Sequence, residues 1–526
     1  MRSTMKPLEL EDIQGILLSN YSRLPLARYI FLQWGNDRER AKVWLDSLAE
    51  DVTTAEQGVS QREGRPRSHG EAWPEQAVNI AFTASGLRGL GLSEAILKTF
   101  LQEFREGMAC AHRQRILGDT GGSAPARWQF GGPSTEDIHL LLMLFTREGG
   151  ATNQERWLRL EALYQRYRER YEAAGLKEVF LQDARMLPMG PGHQGFKEPF
   201  GFRLGISAPV IEGGPGAQVL PGQLPSPAGE FILGYRNSYG RMPFSPRVPD
   251  SLDAQALLEA LPSKPGWKDL GRNGSYLVLR KLRQDVRGFW KFIREHSQDM
   301  PDVPEGDAHQ EWLAAKLMGR WRSGAPLALC PVKDDPALGE DPRRADVFSY
   351  ADDPHGMRCP ITAHIRRSNP RDATLSGDPK KALRAVSRHL LLRRARPYHE
   401  LCFEEPWRGE KGLVLIALNT DIRRQFEFIQ QMWLNNRKFG GLRDERDPIV
   451  GNNRDPEEPG AASSSYAATL PALPVRQRLK GLPRFVCVRG GGYFFLPGIR
   501  ALRFLGGRHP PSPAVGKRWP HYLRPL

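Results

Sequence analysis

Residues 358–371 read Arg-Cys-Pro-Ile-Thr-Ala-His-Ile-Arg-Arg-Ser-Asn-Pro-Arg and follow a turn-forming Asp-Asp-Pro-His-Gly run at 352–356. The stretch holds one histidine, His364, with Arg366, Arg367 and Arg371 shortly after it. An imidazole beside fixed cations suits a site that holds an iron porphyrin by its metal and by its propionates. A hydrogen-bonded histidine on the surface or in the core is the commoner explanation. The residues alone leave open both a haem ligand and an ordinary hydrogen-bonded histidine, and they favour the ordinary histidine.

This stretch resembles the proximal haem motif of the dye-decolourising peroxidase family, a Cys-Pro-x-x-Ala-His-Ile-Arg-x-x-Asn-Pro-Arg run that carries the iron ligand. Blocks similar to the family also lie at 117–119, 273–276, 316–321 and 489–498, so the resemblance spans nearly the whole chain. It implies that His364 is the proximal metal ligand of haem b (iron protoporphyrin IX).

The N-terminal part alternates strand-like and helix-like segments. Residues 27–34 and 78–83 have the apolar pattern of strands, and residues 37–50 and 153–174 have helical spacing. Such β-α-β units on one face of an antiparallel sheet make a ferredoxin-like α+β domain. The resemblance implies two such domains, of the dimeric α+β barrel type. We place them at 1–195 and at 196–526, with haem in the second.

Several segments of the second half have weaker patterns. We expect a short strand at 231–235, a helix at 422–433 and an irregular loop at 447–474, which is rich in Gly, Asn, Pro, Ser and Ala. Residues 485–488 and 493–495 are interpreted as two strands joined by a turn.

The resemblance also places two groups on the distal side of the haem. Residues 388–398 are similar to the family's Arg-His-x-x-Leu-Arg-Arg-Gly run, which makes Arg393 the distal arginine. Its permanent charge would stabilise the negative charge on peroxide oxygen as the O–O bond breaks. Residues 201–205 are similar to the family's Gly-x-x-Asp-Gly motif, but Leu204 stands where the aspartate is expected. Leucine moves no proton, so the resemblance implies haem binding with slower catalysis.

Three further residues are candidates for holding the cofactor. Glu427 resembles the family's candidate for the carboxylate that accepts the second N–H of the proximal histidine, and an exposed helix glutamate is the equal alternative. Arg371 is predicted to bind a haem propionate. Arg366 is also a candidate for cofactor binding, with a structural role as its alternative.

Bulk composition limits the other functions. The net charge of +15 comes from 75 basic residues interleaved with 60 acidic ones, which favours solubility and propionate binding over nucleic acid. The five cysteines are scattered, odd in number and without a Cys-x-x-Cys pair, which fits a reducing compartment. The longest apolar run, 140–145, is too short to span a bilayer. We predict a cytoplasmic protein without a membrane segment.

The leading prediction is a haem peroxidase that oxidises organic donors with hydrogen peroxide, with its activity uncertain because Leu204 replaces the distal acid. A haem-binding protein without turnover is the first alternative. A basic anion- or nucleic-acid-binding protein without haem is the weaker one. The oligomeric state is left open, a homo-oligomer included.

Overall fold

A computed structural model describes residues 7–59, 74–150, 152–215, 219, 223–297, 307–373, 377–400, 409–455 and 466–507. Among these residues, no helix is both long enough and apolar enough to cross a bilayer. The strands are β1 (Leu26–Gln33), β2 (Gln76–Phe82), β3 (Leu140–Thr146), β4 (Lys177–Arg185), β5 (Leu187–Gly190), β6 (His193–Lys197), β7 (Arg247–Pro249), β8 (Trp267–Asp269), β9 (Ser275–Gln284), β10 (Leu392–Arg393), β11 (Arg396–His399), β12 (Lys411–Asn419), β13 (Ala468–Leu470), β14 (Gln477–Leu479) and β15 (Val486–Leu496).

The α-helices lie mostly in the connections between these strands. They are α1 (Arg38–Ala49), α2 (Ala55–Val59), α3 (Ala84–Gly89), α4 (Glu94–Leu97), α5 (Gln102–Glu106), α6 (Ala111–Leu117), α7 (Asn153–Ala173), α8 (Val286–Ser297), α9 (Asp307–Met318), α10 (Pro336–Glu340), α11 (Pro342–Ala345), α12 (His364–Ser368), α13 (Pro379–Ser387) and α14 (Ile499–Leu505). Short 3-10 turns occur at Gly15–Leu17, Gly121–Ser123, Pro125–Arg127, Ala228–Glu230, Asp250–Leu252 and Phe439–Gly441.

The two halves of the chain repeat one strand order. The first unit reads β2-β3-β1-β4, and the second reads β10-β12-β9-β15, with β11 also beside β12. Numbered from one to four within each unit, both orders are 2-3-1-4, and all neighbours are antiparallel. This is the ferredoxin-like arrangement, so the predicted α+β class with two such domains is confirmed. The proposed boundary after residue 195 stays a prediction.

The two sheets meet along both edges. Phe82 of β2 pairs with Phe495 of β15, and β11 lies against β4 on the other side. The inner faces therefore enclose one apolar core, which includes Tyr29, Phe31 and Leu141 from the first unit and Leu277 and Phe494 from the second. At the end of the chain, α14 returns to pack against α1.

Local sequence explains the strongest elements. Every residue of β3 is buried, because Leu141 and Met143 face the inner core while Leu142 and Leu144 face the helices. The long helix α7 begins at a capping box, in which the Thr152 hydroxyl accepts from the Glu155 N–H and the Glu155 carboxylate accepts from the Thr152 N–H.

Two predicted strand assignments are wrong. Residues 231–235 form turns, since the N–H groups of Phe231 and Ile232 both bond back to the carbonyl of Ala228. Residues 486–496 form one continuous strand with a bulge between Val488 and Gly490, and no turn separates two strands. A Cβ on Gly490 would lie 2.5 Å from the ring of Phe130. This glycine therefore marks a close approach and not a turn.

The predicted helix at 422–433 forms with π-helical geometry, as Arg423–Glu427 and Ile429–Leu434. The N–H of Glu427 bonds to the carbonyl of Ile422, and the N–H of Asn435 bonds to that of Gln430, both five residues back. Such helices are rare and often lie at functional sites. The predicted loop at 447–474 is irregular at 447–455 and contains β13, while residues 456–465 lie outside the described residues.

Candidate functional site

A cavity of about 480 Å³ lies against the outer face of the second sheet. Its volume is in the range of small-molecule and cofactor sites, about 300–1,000 Å³. Register partners point to the same face of a sheet, so one wall is formed by Arg280, Leu282, Gln284, Leu413, Leu415, Val486 and Val488. His364 of α12 also lines the cavity, and α12 packs against the π-helical segment 429–434 and α9. The cavity thus has a sheet wall and a helical wall.

His364 is held by a buried carboxylate. Its Nδ1 lies 2.9 Å from Oδ2 of Asp447, which is fully buried. Oδ1 of Asp447 accepts from the N–H groups of Ile449 and Val450, so both carboxylate oxygens are bonded. Burial raises the pKa of Asp447, but the charge and hydrogen bond of His364 and the Val450 N–H outweigh it and lower the pKa below its usual value. Asp447 is therefore ionised and accepts the Nδ1 proton.

This contact leaves the other ring nitrogen available. No residue that the structure describes hydrogen-bonds Nε2 of His364, and the ring borders the cavity. A histidine that ligates a metal donates its second N–H to a carboxylate or carbonyl, which fixes the ring and raises its basicity. The His364–Asp447 pair has this arrangement.

Arg393 and Leu204 lie near each other at the cavity. Arg393 ends β10 at the edge of the sheet wall, and its Nη2 donates to the carbonyl of Ser207 at 2.9 Å. Ser207 belongs to the loop that carries Leu204, and both Arg393 and Leu204 line the cavity. The side chain of Arg393 is exposed, and an arginine remains charged at neutral pH. The structure therefore brings the predicted arginine and the substituted position together.

A cationic cluster forms one end of the cavity. Arg371 donates to the carbonyl of Asp346 at 3.0 Å and contacts its carboxylate, and Arg320 Nη2 lies 3.4 Å from the same carboxylate. Burial lowers the pKa of Arg320 to about 10, which still leaves it charged at neutral pH. The cavity is lined by Arg371, Arg320 and Arg393. Three acids also line it, and Asp346 is the one that interacts with these arginines. This end therefore has an excess of positive charge.

Arg366 does not face the cavity, which corrects its assignment to cofactor binding. Its guanidinium donates to the carboxylate and carbonyl of Asp353 and to the carbonyl of Cys359, and it lies over the ring of Tyr350. Residues two apart on a helix do not share a face, so His364 and Arg366 point in different directions. Arg366 therefore stabilises the loop that precedes α12.

Glu427 does not contact His364, which corrects its predicted role. Its carboxylate accepts from Arg113 at 2.7 Å and from the Tyr493 hydroxyl at 2.8 Å. The physical reason lies in the π-helix. The segment 429–434 contacts α12, whereas Glu427 belongs to the preceding segment and points toward the sheet. Asp447 makes the contact that was expected of Glu427.

The other cavity-lining carboxylates are already engaged. Glu198 accepts from the N–H groups of Phe200 and Phe202 and from Gln284, and burial raises its pKa. Asp119 forms an ion pair with Arg280, and both side chains are buried. His193 lies on the surface beside Glu340.

The donor set fits the iron porphyrin expected from the sequence. The cavity offers one imidazole with its Nδ1 fixed, apolar side chains such as Leu413 and Leu415 for the ring, and an arginine cluster for two carboxylates.

Comparison with known proteins gives a consistent result. Residues 12–170 match the family model described as the DyP dimeric alpha+beta barrel domain. The chain is 28% identical to dye-decolorizing peroxidase msp1 of Mycetinis scorodonius, over 95% of this chain and 88% of that protein. It is similar to the crystal structure of a fungal DyP-type peroxidase from Auricularia auricula-judae, with a TM-score of 0.70, 26% identity, and coverage of 95% of this chain and 100% of that chain. A dye-decolorizing peroxidase in complex with cyanide gives a TM-score of 0.72 at 26% identity, with the same coverage.

Proposed function

The chain belongs to the dye-decolourising peroxidase family, and we propose that it binds haem b through His364 and uses hydrogen peroxide to oxidise an organic donor. The observation that carries the proposal is the His364–Asp447 pair, in which Nδ1 is bonded to a buried carboxylate while the ring borders the cavity. The proposal includes a cytoplasmic location, for which the scattered cysteines are the support.

Different side chains around the cavity have different roles in binding haem. Asp447 holds the proton on Nδ1 of His364, and Nε2 of the same ring would hold the iron. Arg371 and Arg320 would hold the propionates, since a guanidinium matches a carboxylate in charge and geometry. Haem, when bound, would supply the redox chemistry for oxidation of the donor by peroxide. Leu413 and Leu415 exclude water from the sheet side.

Arg393, which lines the same cavity as His364, would stabilise negative charge on peroxide oxygen. When the O–O bond of peroxide breaks, negative charge develops on oxygen, and a fixed cation in a site of low dielectric stabilises it. The bond from Arg393 to the Ser207 carbonyl holds the guanidinium in place before peroxide arrives. Leu204 offers no proton acceptor there, so water has to carry the proton that a carboxylate would move. General acid–base catalysis is worth about 10²–10⁴-fold in rate, and turnover should be lower by that order.

A haem-binding protein without turnover is the second candidate. The presence of Leu204 beside the anchored Arg393 is the observation that favours it. Haem binding requires His364, Asp447 and the arginine cluster, whereas turnover also requires proton transfer. The two candidates therefore differ only in whether a proton can be transferred near Leu204 and Arg393.

The decisive experiment adds haemin to the purified protein, records the Soret band and then measures donor oxidation with peroxide. We expect a Soret band in the wild type and in Leu204→Asp, and a gain of about 10²–10⁴-fold in turnover for Leu204→Asp. Leu204→Asn is the matched control, since it has the size of aspartate without its charge, and should show no gain. A wild type without a Soret band would overturn the proposal. A Soret band without turnover in either variant would favour the second candidate.

A further inference from the structure

Cys110, His112 and Glu106 form a cluster in the first unit, away from the cavity described above. The Sγ of Cys110 lies 3.2 Å from Nδ1 of His112, and Nε2 of the same ring lies 3.1 Å from Oε2 of Glu106. The two ring nitrogens thus serve two different partners. A nucleophile bonded to a base that a third group orients is the arrangement of activated thiols.

The carboxylate of the cluster is held firmly. Oε1 of Glu106 accepts from Gln102 at 2.6 Å, and Oε2 accepts from Nε and Nη2 of Arg113 at 3.0 and 2.8 Å. Burial raises the pKa of Glu106, but the hydrogen bonds from Gln102 and Arg113 and the charge of Arg113 outweigh it and lower the pKa. Glu106 is therefore ionised at neutral pH, so it can accept the Nε2 proton of His112 and stabilise the ring when Nδ1 takes a second proton.

The other cysteines in the described part of the chain lack this arrangement. Cys330 is also partly exposed, but burial and the carboxylates of Asp335 and Asp334 raise its pKa. Cys359 and Cys487 are buried, and burial raises the pKa of Cys359 to about 11. Reactive thiols are accessible and lie beside a base or a cation. Cys110 meets both conditions and Cys330 meets the first alone.

The geometry points to Cys110 as a peroxide-reactive thiol, with His112 as its base and Glu106 as the group that orients the base. The sulfur attacks one oxygen of hydrogen peroxide, an S–O bond forms and the O–O bond breaks. Sulfur is oxidised by two electrons to a sulfenic acid, and peroxide is reduced. The thiol proton passes through Nδ1 of His112 to the leaving hydroxide, which departs as water. The step needs no haem, so it is independent of the function proposed above.

A divalent metal ion is the competing occupant of the same cluster. One ligand atom from each residue can be chosen so that all three lie within 4.8 Å of one another, and two ligands of a tetrahedral zinc ion are about 3.5 Å apart. A metal would take one ring nitrogen together with the sulfur and the carboxylate. The ring instead divides its nitrogens between sulfur and carboxylate, which favours the thiol reaction.

The first test measures alkylation of the full-length protein by iodoacetamide, with peptide mapping of Cys110 and Cys330. We expect Cys110 to react at least about tenfold faster than Cys330, and His112→Asn to remove most of that difference. Glu106→Gln should have a smaller effect in the same direction. The Cys330 rate is the internal reference for folding and should not change. Equal rates for the two cysteines, or no effect of His112→Asn, would overturn the proposal.

The second test adds hydrogen peroxide and a cyclic 1,3-diketone that traps sulfenic acids. We expect an adduct at Cys110 in the wild type and in His364→Ala, and little adduct in His112→Asn. Loss of the adduct in His364→Ala would show that haem produces it and would contradict the proposal. Slow labelling of Cys110 that becomes fast after a chelator, and slow again on adding Zn²⁺, would identify the cluster as a metal site instead.

Discussion

The two units share a strand order but use their outer sheet faces in opposite ways. In the first unit, Ile30, Leu32, Leu142 and Leu144 are fully buried in the core beneath the helices. In the second unit, Leu413 and Leu415 are only partly buried because they border the cavity. The difference lies in the connections. Helix α7 follows β3 closely and packs against it, whereas in the second unit the described parts of two longer connections, 285–391 and 420–485, contribute residues that line the cavity. A single topology thus gives a packed face or a binding site, depending on what crosses it.

The largest effect is expected for loss of the residue that holds the metal in the second unit. His364→Ala should abolish the Soret band on titration with haemin, because the metal ligand itself is lost. Changes in the partner of a ligand cost about 10–100-fold in metal affinity, and loss of the ligand should exceed that. His193→Ala, a surface histidine beside Glu340, is the control and should bind haem normally. Retention of the Soret band in His364→Ala would place the iron ligand elsewhere.

Paired truncations compare the two faces directly. Leu142→Ala should lower the free energy of unfolding by about 2–5 kcal/mol, as expected for a fully buried leucine. Leu415→Ala should cost less than half of that, since part of its side chain already borders a cavity and has fewer contacts to lose. Denaturant unfolding of both variants under the same conditions measures the difference. Equal losses would mean that the second face is as well packed as the first.

Asp447→Asn tests the contact that fixes the metal ligand. We expect haem affinity to fall by about 10–100-fold, since the amide accepts a weaker hydrogen bond from Nδ1 and has no charge. The pKa of Asp447 is lowered in the folded chain, so its ionised form stabilises the fold above the unfolded pKa of about 4. That stabilisation is lost as the pH falls toward the lowered pKa.

The difference in unfolding free energy between wild type and Asp447→Asn should therefore shrink as the pH falls below about 4. Unfolding curves over a pH series measure it, and haemin titrations at neutral pH measure the affinity. A difference that grows at low pH would show that the carboxylate is protonated in the folded state.

The smallest effect on haem affinity is expected for Glu427, which lies in the second unit but does not contact His364. Glu427→Gln should leave haem affinity within about twofold of wild type, because Glu427 contacts Arg113 and Tyr493 and not His364. Removing its charge leaves Arg113 with less compensation, which should cost about 1–3 kcal/mol in stability. Haemin titration and denaturant unfolding separate the two. A tenfold loss of haem affinity with unchanged stability would instead support Glu427 as the carboxylate partner of His364.

Local patterns predicted those parts of the fold that local physics determines. The strand at β1, helix α1 and helix α7 follow from apolar spacing and capping, and each was expected within a residue or two. The strand through Gly490 was divided wrongly, because a glycine that permits a close approach looks the same in sequence as one that permits a turn. The contact with Phe130 that decides between them lies far away in the chain.

Local sequence also predicted only part of the candidate site. The motif around residue 364 indicated the histidine, and the similarity at 388–398 indicated Arg393. Asp447 was missed because it stands 83 residues from His364, at the start of a stretch with no periodicity. Nothing local distinguishes it from Glu427. Only the path of the chain across the second sheet brings it to the ring.

The π-helical segment at 423–434 has a consequence for how this cavity can diversify. A π-helix differs from an α-helix by an extra residue per hydrogen-bonded ring, and each residue in an α-helix turns the chain by about 100°. Deleting one residue within the segment would convert a turn to α-helical geometry. The side chains of Ile429, Gln430 and Leu434, which all line the cavity, would then point in a different direction. Insertions and deletions, rather than point substitutions, are therefore the changes that would reshape this wall in a single step.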